Sequence, residues 1–276
     1  MSLKTRLLFP VTTLDRKKVS KCLNGKTILI TGATFGIGEA LVRYLFHYNV
    51  QLILVARTTE KLFALKNESL TLAAKVTTFT CDFYSEDSLN ELCRNLQPIH
   101  IDYFVSNAGK SMMRSLEESV DRFHDYKRTV AVNYFAPVQL ISALKESFKE
   151  ARTHIVNVST YSVLMKTPPK WSAYISSKKT MHSWFESNTP ELALMNVTVS
   201  NIYFPLIESR MKDANQNYKD TPAMSMSTAV AIIIKSLLER NYHFKPWWHI
   251  PFQIVMFLVN PWWTVFWKRQ LRQRNY

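Results

Sequence analysis

Cysteine, glycine and acidic residues are all scarce in this chain, and each shortage narrows what the chain can be. The three cysteines, Cys22, Cys81 and Cys93, follow no motif spacing, which predicts a reducing compartment without a disulfide framework. The beginning, MSLKTRLLFP, has no apolar core long enough for a signal peptide, so we expect a cytoplasmic protein. Charged residues are 20% and hydrophobic residues 47% of the total, which excludes a disordered chain and allows a large buried core.

The shortage of acidic residues leaves a strongly basic chain. Lysine and arginine number 35 against 21 acidic residues, for a net charge of +14. Such a balance suits a nucleic acid, an anionic membrane surface or a phosphorylated cofactor. No helix-turn-helix, zinc-finger or RNA-binding signature occurs, and much of the excess charge lies in the terminal segments. We therefore predict no nucleic-acid partner and no metal site, and a salt-dependent DNA-binding assay addresses the first point.

Apolar runs alternate with helical patterns along most of the chain. The strand-like runs are residues 26–31, 51–56, 76–80, 101–105, 154–159 and 197–204. The main helical patterns lie at 37–48, 58–67, 86–96, 121–150, with a kink at Pro137, and 171–194. This alternation predicts βαβ units, and strands that are apolar on both faces predict a parallel sheet covered by helices on both sides. We expect one α/β domain over 26–245, a polar, basic lead-in at 1–25 and an aromatic extension at 246–276.

Three of the five glycines fall in one turn. The sequence TGATFGIG, between the first strand and its helix, contributes Gly32, Thr34, Phe35, Gly36, Ile37 and Gly38. A turn of this kind lets the backbone approach a pyrophosphate, which the unpaired N–H groups of the helix amino-terminus then bind. The pattern predicts a Rossmann-type doubly wound fold that binds a dinucleotide. A turn that is rich in glycine for packing reasons alone is the alternative.

The residues after the second strand indicate which dinucleotide is preferred. A site selective for NAD usually places an acidic residue there, to bind the ribose hydroxyls. This chain has Ala56, Arg57 and Thr58 instead, and no acid occurs before Glu60. The planar guanidinium of Arg57 suits the ribose 2′-phosphate of NADP, and a cation at a helix amino-terminus is otherwise unfavourable. We therefore predict that NADPH is preferred over NADH, with an ordinary solvated arginine as the alternative.

Tyr174 and Lys178 are four residues apart in a predicted helix, so their side chains share one face. An ammonium beside a phenol favours the phenolate, which predicts a lowered pKa for Tyr174. A tyrosine tuned in this way exchanges a proton with a carbonyl oxygen near neutral pH. The pair alone is a weak signal and usually means a solvated helix face. Its position after the fifth strand of a nucleotide-binding pattern favours a catalytic role.

Taken in order, these residues resemble the short-chain dehydrogenase/reductase family over about residues 25–240. The matching elements are the glycine turn, Cys81–Asp82, Asn107, Ala108 and Gly109 in SNAG, Asn133 in VNYFAP, Tyr174 and Lys178. The resemblance implies that Asp82 contacts the adenine and that the SNAG segment borders the cofactor. It also implies that Asn133 holds a proton-relay water and that Tyr174 and Lys178 are the catalytic pair. The reaction expected from the family is hydride transfer to the carbon of a carbonyl group, or, in reverse, from the carbon that bears an alcohol.

The family also carries a catalytic serine at the end of the fifth strand, and its equivalent here is ambiguous. Matching from the strand places Thr160 in this role, whereas counting back from the tyrosine gives Tyr161. A loop one residue longer favours Thr160, and Ser159 and Ser162 are alternatives. A threonine hydroxyl still donates a hydrogen bond to a substrate oxygen.

Two other segments depart from the family pattern. Phe35 occupies a turn position where many NADP-using members carry a small or basic residue. After the sixth strand, Pro205-Leu206 replaces the frequent Pro-Gly. Pro205 is then expected to border the cofactor, and Ser209 takes the place of the threonine that contacts the nicotinamide amide.

A narrower resemblance concerns the substrate. The segments RSLEESVDRFHDYKRT, VNYFAPVQLI, PPKWSAY and YFPLIESRM are similar to those of bacterial long-chain acyl reductases. That subgroup implies an NADPH-dependent reductase of a ketone or aldehyde on a long apolar lipid, and family analogy suggests a homo-oligomer. The alternative is a catalytically silent NADP-binding scaffold or sensor, and the intact Asn133–Tyr174–Lys178 set argues against it.

The first two thirds of the extension at 246–276 contain no charged residues. The segment from Pro246 to Trp267 contains no charged residue and five of the seven tryptophans. Cationic residues follow it. Paired tryptophans at both ends and the cationic flank favour a segment lying on a membrane surface. Polar residues and Pro261 within the stretch argue against a spanning helix. Aromatic residues folded back as core, as a lid over the substrate site or as a subunit interface are the other alternative.

Overall fold

A computed structural model describes residues 7–209, 212, 218 and 221–273, and its centre is a six-stranded parallel sheet in the order β3-β2-β1-β4-β5-β6. The strands are β1 (Thr27–Thr31), β2 (Gln51–Ala56), β3 (Lys75–Thr80), β4 (Tyr103–Ser106), β5 (His154–Thr160) and β6 (Thr198–Phe204). Strand β1 pairs with both β2 and β4, so the chain changes direction across the sheet after β3. Doubly wound sheets bind ligands at such a point, outside the carboxyl ends of the strands.

Helices connect the strands and cover both faces of the sheet. They are α1 (Arg16–Leu23), α2 (Gly36–Leu45), α3 (Thr59–Ser69), α4 (Glu86–Leu96), α5 (Phe123–Val130), α6 (Ala136–Ala143), α7 (Lys145–Ala151), α8 (Ser172–Leu194), α9 (Met226–Leu238), α10 (His249–Leu258) and α11 (Trp263–Gln273). Short 3₁₀ segments at Glu117–Ser119, Tyr161–Leu164 and Asn260–Trp262 lie in the connections. The strands begin and end within two residues of their predicted positions.

The core has two halves, one on each side of the sheet. Successive residues of a strand point to opposite faces, so Ile28 and Ile30 enter one apolar cluster and Leu29 enters the other. All five residues of β1 are buried, which requires cover on both faces. The predicted doubly wound α/β fold is therefore confirmed.

Part of the predicted lead-in belongs to this core. Asp15 caps helix α1 by accepting a hydrogen bond from the Lys17 N–H at 2.9 Å. Val19 and Leu23 are fully buried in the cluster that also contains residues of α9. The expectation of a merely polar segment over 1–25 is wrong for this helix, because its two apolar side chains lie four residues apart and form one buried stripe.

The predicted long helix over 121–150 is interrupted twice. A π-helical turn, Ala131–Phe135, separates α5 from α6, and Leu144 separates α6 from α7. Pro137 lies in the first turn of α6 and has no N–H to donate to the carbonyl of Asn133, four residues earlier. The missing donor accounts for the widened turn, which contains Asn133.

The C-terminal extension folds as α10 and α11, joined by the 3₁₀ segment. Within the described ranges, no single helix is long and apolar enough to cross a membrane. The pair His249–Leu258 and Asn260–Arg272 would suffice together by length and composition only, and it is bent by 62°. The uncharged stretch is therefore two short helices rather than one straight one.

Candidate active site

The glycine turn between β1 and α2 is shaped by close approaches of the backbone. Gly32 has a φ of +68°, and a side chain there would place its Cβ 2.9 Å from the Cα of Ala108. A Cβ at Gly38 would collide with the carbonyl oxygen of Gly32. Gly36 has a φ of +57° and open space around it, so its glycine serves the backbone conformation alone. The turn is thus a cradle that only glycines at these positions form.

Asn107 joins the glycine turn to the end of β4. Its Nδ2 donates to the carbonyl oxygens of Thr31 at 3.0 Å and of Gly32 at 3.2 Å. The Thr31 hydroxyl oxygen in turn accepts hydrogen bonds from the backbone N–H groups of Asn107 and Ala108. The motifs predict Asn107 and Ala108 but not Thr31, because a threonine at the end of a strand carries no signal of its own. These bonds hold the two strand ends in fixed register beside the cradle.

Cationic side chains surround the region where the second strand ends. Arg57 is exposed, as a ligand-binding arginine requires. Burial lowers the pKa of the Lys110 ammonium, and the charges of Arg128 and Arg57 lower it further. The Lys61 Nζ lies 3.8 Å from the centre of the exposed Phe35 ring. The motifs do not predict Lys61, which brings a cation to the turn position where Phe35 replaces a basic residue.

Asp82 follows β3 at the same edge of the sheet. Its Oδ1 accepts a hydrogen bond from the Tyr84 N–H at 3.1 Å, and its own N–H donates to Ser88 Oγ at 3.3 Å. The carboxylate is thereby fixed by its own loop, half-exposed at the carboxyl end of the strand. This is the position at which the resemblance places the adenine contact.

Tyr174 lies near Thr160 at the end of β5, and its side chain is partly exposed. Burial raises the pKa of Tyr174 to about 12, and an interaction with the Thr160 hydroxyl partly opposes that rise. The predicted lowering of this pKa is wrong, because burial disfavours the phenolate more than neighbouring groups favour it. Tyr174 is consequently protonated at neutral pH and has a proton to donate.

Lys178 is 8% exposed and points to the ends of β4 and β5. Its Nζ donates to the carbonyl oxygen of Val158 at 3.2 Å, rather than to the phenol. Burial lowers the pKa of Lys178 to about 8. A Cβ on Gly109 would lie 3.5 Å from this Nζ, which places the loop after β4 directly beside the ammonium.

Asn133 is anchored by three hydrogen bonds. Its Oδ1 accepts from the Lys110 N–H at 2.8 Å, and its Nδ2 donates to the Lys110 carbonyl at 2.9 Å. The same Nδ2 also donates to Ser177 Oγ at 2.9 Å, and the Ser177 hydroxyl donates to the carbonyl of Tyr174. Ser177 therefore links Asn133 to α8, although no motif predicts it. The Asn133 carbonyl receives no α-helical hydrogen bond from residue 137, because Pro137 has no N–H.

Among the four candidate hydroxyls near the end of β5, the structure brings Thr160 to Tyr174. The Thr160 hydroxyl also lies 3.4 Å from the hydroxyl of Ser162, two residues later in the 3₁₀ segment. Ser159 is buried, and the Tyr161 ring packs edge-on against Trp248 at 4.9 Å. The alternation of side chains along a strand explains why neighbouring residues do not share the site.

Pro205 and Ser209 follow β6 on the loop that leaves the sheet. Pro205 is buried directly after the strand. The Ser209 hydroxyl donates to the Ile207 carbonyl at 3.3 Å, so it is engaged within its own loop. Its expected contact with a nicotinamide amide remains a prediction.

Aromatic side chains pack beside Tyr174 and beside the segment that follows Thr160. The Trp171 ring lies 5.8 Å from that of Tyr174 and 5.9 Å from that of Tyr218. On the other side, Tyr161 contacts Trp248, which belongs to the C-terminal extension. We call Trp171, Tyr161 and Trp248 the aromatic wall, because Trp171 packs against Tyr174 and Tyr161 directly follows Thr160.

Comparison with known proteins identifies several relatives. A sequence model described as short chain dehydrogenase matches residues 26–220. A fatty acyl-CoA reductase from Acinetobacter baylyi is 31% identical, over 79% of this chain and 75% of its own. A fatty acyl-CoA reductase from Mycobacterium tuberculosis is 30% identical, over 81% of this chain and 77% of its own.

Solved structures share the fold. A metagenomic short-chain oxidoreductase in complex with NADP has a TM-score of 0.66 at 24% identity, and the match covers 82% of this chain and 96% of that one. A short-chain dehydrogenase from Sphingobium yanoikuyae in complex with NADPH has a TM-score of 0.72 at 19% identity, covering 91% and 96%. These likenesses confirm the Rossmann-type architecture.

Proposed function

The chain belongs to the short-chain dehydrogenase family, and we propose that it is an NADPH-dependent reductase of a ketone or aldehyde carbonyl on a long apolar substrate. The observation that carries this proposal is the convergence of three groups at one edge of the sheet. A protonated Tyr174 lies beside the Thr160 hydroxyl, and the buried ammonium of Lys178 lies beside Gly109. A proton donor, a hydroxyl and a cation next to a glycine cradle are what carbonyl reduction by a dinucleotide requires.

The residues at this edge fit NADP. The cradle excludes any Cβ at Gly32 and Gly38, which suits close backbone approach to a pyrophosphate. The proposed holding residues are Gly32, Thr34, Phe35, Gly36, Ile37, Gly38, Arg57, Asp82, Asn107, Ala108, Gly109, Tyr174, Lys178, Pro205 and Ser209. When bound, NADPH supplies the hydride. The complexes of the two solved structures with NADP and NADPH support this choice of cofactor.

The proton is handled by the chain's own side chains. Tyr174 donates its proton to the substrate oxygen, since its raised pKa keeps the hydroxyl protonated at neutral pH. Thr160 donates a hydrogen bond to the same oxygen and fixes its position. Lys178 holds the nicotinamide ribose and passes a proton towards Tyr174. Asn133 holds the water that reconnects Lys178 to solvent, through the carbonyl that lacks its α-helical donor.

The aromatic wall and the relatives support a long apolar substrate. Trp171 packs against the Tyr174 ring, and Tyr161, which follows Thr160, packs against Trp248, so aromatic surface is available near the reacting groups. Both relatives named above are called fatty acyl-CoA reductases.

The test is a panel of long-chain aldehydes, β-keto esters and acyl thioesters, with NADPH consumption followed. Turnover of the aldehydes or β-keto esters, and not of short polar aldehydes, is the expected result. If the protein binds NADPH with micromolar affinity but turns over nothing in the panel, the silent scaffold is the better account.

Cofactor preference gives a separate prediction. Arg57→Ala should lower kcat/KM for NADPH by about tenfold to a hundredfold, because it removes a hydrogen bond to a charged group. The kcat/KM for NADH should stay nearly unchanged. Combining it with Lys61→Ala should lower NADPH use further, because Lys61 lies over Phe35 in the cofactor turn. Lys66→Ala, at the opposite end of α3, is the matched control. Equal use of NADPH and NADH by the wild-type protein would contradict the prediction.

A further inference from the structure

The C-terminal extension exposes an unusual amount of apolar surface. We define the tail surface by its exposed large apolar side chains, which are Trp247, Ile250, Ile254, Val255, Phe257, Leu258, Val259, Trp262, Val265 and Phe266. Their exposed fractions range from 38% to 78%, and no charged residue lies among them in the sequence. Contiguous exposed apolar residues of this number mark an interaction site in a folded protein.

Helix α10 packs on the protein by one side only. His249 is buried, and Phe252 and Met256 are half-buried, so these residues form the side that packs on the protein. Ile254 and Phe257 lie on the remaining surface and are 57% and 78% exposed. The helix is thus fixed to the domain by one side while the rest of it stays apolar and uncovered.

The tail surface is attached beside the candidate active site. The Gln253 Nε2 donates to the Leu164 carbonyl at 3.2 Å, and the Trp248 ring contacts Tyr161. The Lys166 Nζ lies 6.0 Å from the Trp263 ring. Tyr161, Leu164 and Lys166 all belong to the loop after β5, which borders Thr160. What docks on the tail surface therefore lies next to the loop that borders Thr160.

Charge decides between the possible occupants. Lys268, Arg269 and Arg272 are exposed on α11, and Lys166 flanks the surface from the domain. A second copy docked through this same surface by two-fold symmetry would offer these cations no acidic partner from its own residues 246–276, which contain no aspartate or glutamate. An anionic lipid surface attracts each cation and also accepts the apolar side chains.

We propose that the tail surface binds the plane of an anionic lipid bilayer and places the substrate entrance against it. The 62° bend between α10 and the following helices suits two short helices that lie in the interface and not a straight span. Exposed tryptophans at both ends, Trp247 and Trp262, suit the headgroup region. The delivery of an apolar substrate from the bilayer rests on the proposed function, whereas binding to the bilayer does not.

Flotation with phosphatidylcholine–phosphatidylserine vesicles, without cofactor or substrate, tests the binding. The full-length protein is expected to float at low salt, and to float less with pure phosphatidylcholine or at high salt. The double variant Ile254→Glu/Phe257→Glu should bind at least about tenfold more weakly, because two apolar side chains no longer enter the lipid. The control is the double variant Leu70→Glu/Leu194→Glu. These leucines are 74% and 87% exposed and lie where the chain enters the amino ends of β3 and β6, away from the tail surface. This variant should float like the wild type.

Three outcomes would overturn the proposal. The first is wild-type protein that stays unbound at low salt. The second is a tail variant that becomes monomeric while the wild type is a dimer that does not float, which would make the surface a subunit interface. The third is wild-type protein that resists carbonate extraction, which would indicate a spanning segment.

A second arm concerns the substrate. The tail variant should lose turnover of a long-chain aldehyde embedded in vesicles but keep its turnover of the same aldehyde dispersed in detergent. Equal loss with both forms of the substrate would contradict delivery from the bilayer. Absence of turnover in the wild type would count against the proposed function alone, since flotation is measured without it.

Discussion

Replacing Tyr174 with phenylalanine is expected to lower kcat by about a thousandfold on any substrate that the wild-type protein reduces, since general acid catalysis contributes about 10²–10⁴-fold. The change removes one oxygen and retains the ring that packs against Trp171 at 5.8 Å. Binding of NADPH should stay within about twofold of the wild type, because a phenolic hydroxyl adds little to a cofactor held mainly by backbone and cations. Stopped-flow turnover and fluorescence titration with NADPH measure the two effects.

Tyr203→Phe is the matched control for this variant. Its hydroxyl lies 3.0 Å from His182 Nδ1, and burial raises the pKa of Tyr203 as it does that of Tyr174. Loss of that hydroxyl should cost about 1 kcal/mol of stability and leave kcat unchanged. Tyr174→Phe with undiminished kcat would remove Tyr174 from the role of acid, whatever the control shows.

The fold could be predicted because the sequence pattern is strong where the sheet is buried. Runs such as TILIT in β1 are apolar on both sides of the strand, which occurs when helices cover both faces. The interruption at Ala131–Phe135 could not be placed from the pattern, because Pro137 predicts a break without fixing its type. The burial of α1 also escaped prediction, since two apolar side chains among lysines give a weak signal.

The site could be predicted to the extent that its chemistry depends on glycine positions and spacing. Gly32 and Gly38 can be identified from the sequence alone, because only glycine fits the turn that they form. Ser177 and Thr31 act through hydrogen bonds to distant segments, and their residue types are common everywhere. The direction of the Tyr174 pKa shift could not be predicted either, since it depends on burial that the sequence does not display.

The largest expected effect besides that of Tyr174 belongs to Lys178. Lys178→Met should lower kcat by about a hundredfold and also weaken NADPH binding by about tenfold or more, since the lost ammonium has two proposed partners. Single-turnover kinetics and NADPH titration separate the two losses. Lys179→Met, which changes the adjacent lysine whose Nζ donates to the Met165 carbonyl, should keep its affinity for NADPH. An unchanged NADPH affinity in Lys178→Met would argue against the ribose contact.

The pH dependence of reduction provides a second readout of Lys178. Burial lowers the pKa of this lysine to about 8, so the side chain is charged below that pH and neutral above it. Tyr174 stays protonated over the same range, since its pKa is raised to about 12. The rate of reduction should therefore be constant below about pH 8 and fall above it, as Lys178 loses the proton that it passes towards Tyr174. Lys178→Arg keeps its charge at all these pH values, so its residual activity should show no fall near pH 8. The same fall in both proteins would assign it to another group.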